Sequence, residues 1–190
     1  MIESGILKEG DILTHLDADM VIYNTSIDYS TKKSFSYSID SGNTHCMGNY
    51  SIKINDWSIE MIDLVLDEER FQIFKNKRSI HPVVGSWCFW DWFREQASWY
   101  SLAGIKEHSD ISFWELPNYG WHSAKTDDTI YSIDDLNNNV EILPTAWNVT
   151  EMEGESDCVF LINKVDKKDV FIRHFAGGQP WRKEWFEKIL

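Results

Sequence analysis

Apolar and polar residues alternate in short runs through the first third of the chain, as they do in strands buried on one face. DILTHL and MVIYN flank Asp17-Ala18-Asp19, SFSYSI runs into a turn at Asp40-Ser41-Gly42-Asn43, and YSIKI follows Met47-Gly48-Asn49. These runs predict hairpins. In WSIEMIDLVL, Trp57, Met61 and Leu64 keep helical spacing while the β-branched content also suits a strand; the balance favours a helix. RFQIFK predicts another strand, closed by turn residues 76 to 79 and by Pro82.

Residues 87 to 100 read WCFWDWFREQASWY, and the period changes to that of a helix. Ser86 suits its N-cap and Gly104 its C-terminal stop. Cys88, Trp92, Trp99 and Leu102 fall near one face, and Phe89, Phe93, Ala97 and Tyr100 follow an adjacent one. Only Arg94, Glu95 and Ser98 are left for solvent. So broad an apolar stripe predicts a central packing helix, not an exposed recognition patch.

Beyond it, ISFWEL, TIYSI, VEIL, WNVTEM, CVFLINK and DVFIRHF read as successive antiparallel strands, with turns near PNYG, DLNNN, EGESD and VDKKD. Pro180 then opens WRKEWFEKIL, where Trp181, Trp185 and Ile189 share a helical face. The expected class is α+β: an antiparallel β-meander packed around an aromatic-rich central helix, with a short C-terminal helix. Residues 1–190 are expected to form one domain, with a soft subdivision near residue 80 that no linker composition marks.

Composition adds constraints without changing that outline. The chain is 43% hydrophobic and 26% charged, with ten tryptophans, which suits a soluble domain with a sizeable core. No apolar run approaches a membrane span, and the first dozen residues lack a secretory pattern, so a cytoplasmic protein is expected. Cys46, Cys88 and Cys158 are odd in number and widely spaced, which fits reduced thiols. Charge shifts the picture further. Of the net −13, residues 106–157 carry −10, with only Lys106 and Lys125 against twelve carboxylates, whereas residues 158–190 are net positive. A field of that sign repels nucleic acid and anionic lipid and favours a protein partner with a basic surface.

Four constellations carry candidate chemistry. His15, Asp17 and Asp19 recur at every second position, so a continuous strand would align them as divalent-metal ligands; a turn through Asp-Ala-Asp, the preferred reading, breaks that alignment. His45 and Cys46 suggest a base and a nucleophile, but strand neighbours face opposite ways, so any dyad needs His122 or His174 from elsewhere. In RHFAGGQPWRK, Arg173, His174, Arg182 and Lys183 surround Gly177 and Gly178 before a helix start, a weak pattern for holding a small anionic ligand. The loop of residues 117–128 contributes Tyr119, Trp121, His122, Asp127 and Asp128. Together with Trp114, Asp134 and Asp135 it forms the preferred partner-binding segment.

The favoured function is therefore a small acidic protein that occupies another macromolecule, in the manner of an inhibitor or immunity-type protein. A nucleotide- or sugar-binding module with an aromatic pocket is the first alternative. A hydrolase using a histidine and a carboxylate is the second, since no spacing ties two catalytic groups together. No cofactor is expected, and oligomeric state is not legible.

Overall fold

The computed structural model describes residues 5–42, 45–72, 94–105, 121–122, 125, 127–150 and 163–175. In chain order the elements are β1 (Ile12–Leu16), β2 (Met20–Ile22), β3 (Phe35–Ile39), β4 (His45–Lys53), α1 (Asp56–Leu66), α2 (Arg94–Ala103), α3 (Ile133–Asn139), β5 (Val140–Leu143) and β6 (Ile172–His174). The protein is mixed α and β with a mostly antiparallel sheet, as the pattern predicts. The order in the main sheet is β1-β4-β3-β5, and β2 pairs with β6 in a separate two-stranded ribbon.

β3 and β4 form the expected hairpin, with a register shift between Tyr37 and Ser38. Period-two alternation sorts the faces of β3. Phe35 and Tyr37 point to the apolar side, where Trp99 of α2 meets them edge-on with ring centroids 5.1 and 5.9 Å away. On the polar side, the Ser51 hydroxyl of β4 donates to the Tyr29 carbonyl, and the Asn49 amide to the Trp147 carbonyl. Trp99, Leu102 and Ala103 are fully buried, which makes α2 the packing helix that its stripe predicts.

Helix ends follow local chemistry. Asn55 and Ser58 cap α1 reciprocally: the Asn55 side chain accepts from the Ser58 N–H and the Ser58 hydroxyl from the Asn55 N–H. α2 stops at Gly104 with φ +64°, where Ile105 N–H bonds the Tyr100 carbonyl and Gly104 N–H the Ser101 carbonyl. That pairing needs a left-handed residue, which glycine adopts without strain.

Several expectations are corrected. DILTHL and MVIYN do form strands, but β1 pairs with β4 and β2 with β6, so they are not a hairpin with each other. RFQ does not start a strand: residues 68–72 are helical, opened by Asp67, whose carboxylate accepts from the Arg70 N–H. TIYSI is not a strand either, because Ser132 and Asp135 form a capping box that starts α3 inside it and carries the helix through Asn139. VEIL is a strand, yet it runs parallel to β3. The connection from β3 includes β4 and several helices, ample length for a parallel return. WNVTEM supplies a 3-10 turn, Thr145–Trp147, and a single bridge from Val149 to Arg173. Ser98, expected in solvent, is fully buried. The start of the central helix, ISFWEL, most of CVFLINK, the C-terminal helix and the boundary near residue 80 lie outside the described residues.

Candidate functional site

An acidic surface lies on α1, to which the sequence pattern assigns a place in the fold and no role. Asp56, Glu60, Asp63 and Asp67 follow spacings of four, three and four, so they stand on one helix face. With Ile59 and Leu64 they line an open groove. Leu66 beside them is 64% exposed. α1 contains no Lys or Arg to offset this stripe. Like charges at these spacings repel, and Asp63 and Asp67 stand at the negative end of the helix dipole, where carboxylates are unfavourable. Asp56 in the first turn is well placed, and Asp67 also caps the following turn. Glu60 and Asp63 have no such structural return among the described contacts.

The acidic segment expected to bind a partner adjoins this stripe. Tyr131 packs on Trp57 of α1 at a ring distance of 5.1 Å. Burial, with added repulsion from Glu60 and Asp135, pushes the Tyr131 hydroxyl well above the ordinary tyrosine range, so both carboxylates act on the same ring. Ile130 and Ile133 next to it are exposed. Asp135 has a structural task as well. Its carboxylate accepts from the Ser132 hydroxyl and N–H, which hold it below the usual carboxylate range. Asp127 and Asp134 are exposed or half-exposed on the same segment. Asp128 receives the Arg70 guanidinium on its carbonyl at 3.4 Å.

Trp121 and His122 are fastened to the edge of the core. Trp121 is half-buried against His45 and Trp99, and its indole N–H donates to the Asn137 side chain at 3.2 Å. His122 takes φ +60°, uncommon for a side-chain-bearing residue, and its Nε2 lies 2.7 Å from the Tyr131 carbonyl. Trp114 and Tyr119 lie outside the described residues.

A second cluster forms where the β1–β2 turn meets β6. The Asp17-Ala18-Asp19 turn does form, with Met20 N–H bonding the Asp17 carbonyl, so the aligned-strand arrangement of His15, Asp17 and Asp19 is not the one present. The turn instead gathers Asp17, Asp19 and His174, whose ligand atoms all lie within 4.8 Å of one another. His174 Nε2 is 3.4 Å from an Asp19 oxygen, and its Nδ1 is 3.0 Å from the Asn148 side-chain oxygen. His15 stays at the margin, stacked on Tyr50, with Nε2 3.0 Å from Asp17. His174 joined the set only through β2–β6 pairing, which no local spacing reveals.

The remaining candidates do not converge. His45 is buried, with Nδ1 2.5 Å from the Tyr37 hydroxyl, and its carbonyl accepts from the Tyr100 hydroxyl. Cys46 points the other way. Burial and the neighbouring Asp40 carboxylate push its thiol up to about 12, the opposite of an activated nucleophile. Arg173 is 1% exposed, its guanidinium 4.8 Å from the Phe175 ring centre, and is therefore not part of an open basic patch with His174. Gly177, Gly178, Arg182 and Lys183 lie outside the described residues.

No protein-family model, curated protein or solved structure matches the chain. Among the described residues no helix is long and apolar enough to cross a membrane. Functional reasoning therefore rests on the surfaces themselves.

Proposed function

We propose that the protein works by binding a macromolecular partner through a basic surface, and that the α1 stripe together with residues 127–135 is the binding face. One observation supports this above the others: an acidic stripe along α1 and its C-cap, in which Glu60 and Asp63 add like-charge repulsion with no structural return among the described contacts. A face kept at a cost to stability, with Ile59, Leu64 and Leu66 set among its charges, has the make-up of a docking surface for a cationic, partly apolar counterpart. The net charge of −13 gives long-range attraction of the same sign. An inhibitor or immunity-type role, in which the partner is blocked by occupancy, fits this character.

The aromatic-pocket alternative draws less support. Trp99 and its neighbours Phe35, Tyr37, Trp121 and Tyr131 lie 5.1 to 6.4 Å apart and close on one another. The test is capture from the native host at low salt with two baits, wild type and Glu60→Gln/Asp63→Asn. A basic protein held by wild type and released by the variant is expected. Equal recovery on both baits, or none on either, refutes the proposal.

A further inference from the structure

The Asp17, Asp19 and His174 cluster is built like a metal site, and it is separate from the α1 face. Its three side chains come from a tight turn and a strand far apart in sequence, and backbone pairing fixes both. Asp17 N–H bonds the Gly48 carbonyl, Phe175 N–H bonds the Asp19 carbonyl, and Met20 pairs with His174 across the β2–β6 ribbon. The three ligand atoms lie within 4.8 Å of one another, and one pair has a metal-like separation. Two ligands about 2.0 to 2.1 Å from a tetrahedral zinc ion lie roughly 3.3 Å apart, and His174 Nε2 stands 3.4 Å from its Asp19 oxygen.

An outer layer orients the imidazole. Asn148 is fully buried and holds Nδ1 on its side-chain oxygen, which turns Nε2 and its lone pair towards Asp19, the arrangement typical of a metal-bound histidine. Gly48 leaves room for the third ligand. A Cβ there would come within 2.6 Å of the Asp17 Oδ2 and 2.9 Å of the Met20 methyl carbon.

We infer that Asp17, Asp19 and His174 form a binding site for a divalent first-row transition cation. Imidazole among the ligands favours zinc over calcium and magnesium, and manganese, a weaker binder, serves as a paramagnetic probe of the same site. Zinc titration of the metal-free, full-length protein, followed by calorimetry and by melting temperature, tests this. One equivalent should bind and raise the melting temperature. Asn148→Ala keeps all three ligands and should weaken binding by about 10- to 100-fold. Gly48→Ala displaces only side-chain tips, so it should leave the metal-free melting temperature nearly unchanged while weakening zinc.

Asp19→Asn should abolish the saturable step. On the unaltered protein, manganese should broaden the amide resonances of Asp17, Gly48 and Phe175 before any others. Absence of saturable zinc binding, full binding by Asp19→Asn, tighter binding of calcium than zinc, or broadening centred elsewhere would each overturn the assignment.

Discussion

Arg70 holds together parts of the molecule that local sequence does not connect. Its guanidinium donates to the Ser98 hydroxyl at 3.0 Å, to the Ser101 hydroxyl and to the Asp128 carbonyl. Both serines are buried. Arg70→Met should therefore strand two hydroxyls and lower stability by about 1 to 3 kcal/mol, read from a urea titration. Lysine should not rescue it, since one ammonium cannot span the fork. Ser98 looks solvent-facing on a helical wheel because its partner Arg70 arrives from another helix, in a stretch whose apolar spacing resembles a strand. Cys46 supplies a second check: with its thiol pushed up to about 12, alkylation of the folded protein at pH 8 should leave the Cys46 peptide unlabelled, and unfolding should expose it. Labelling in the native state would contradict its burial. At Asp135 the folded pKa lies below the unfolded one, so the carboxylate stabilises α3 above the ordinary carboxylate range and that contribution is lost as pH falls through the folded pKa. Asp135→Asn should flatten this part of the acid transition.

At the scale of elements, α1 and α3 divide structure from function. α3 begins at a reciprocal Ser132–Asp135 cap, a signal legible in the sequence but overshadowed by the alternating TIYSI pattern that runs into it. The parallel pairing of β5 with β3 was not legible, because strand direction depends on how the long intervening segment returns the chain. By contrast, the α2 stripe and the Gly104 stop were readable, since both rest on local periodicity and on backbone conformation. α1 carries the sharper prediction. Neutralising Glu60 and Asp63 removes like-charge pairs worth about 0.2 to 0.5 kcal/mol each. Glu60→Gln/Asp63→Asn should thus melt at the same temperature as wild type or slightly above it, even as partner binding falls. A lowered melting temperature would mean that the stripe serves the fold, and the binding argument from α1 would fail.

Across the whole molecule, the hydrophobic core and the acidic exterior answer different demands. Among the described residues Phe35, Tyr37, Trp99, Leu102 and Leu136 are fully buried, so the aromatic side chains among them serve packing. Truncating Trp99 to alanine should cost about 3 to 5 kcal/mol. The charged surface proposed for recognition includes the α1 stripe beside Tyr131 and Asp135. Composition marks the acidic middle segment, yet does not reveal α1 as its neighbour, because only folding brings Trp57 onto Tyr131. If this face steers a basic partner, the association rate carries the signature, since attraction between opposite charges is screened as salt rises. The most direct measurement is the association rate of the captured partner against ionic strength, for wild type and Glu60→Gln/Asp63→Asn in parallel. A steep fall with salt for wild type and a slower, flatter curve for the variant are predicted; two superimposable curves would contradict the account.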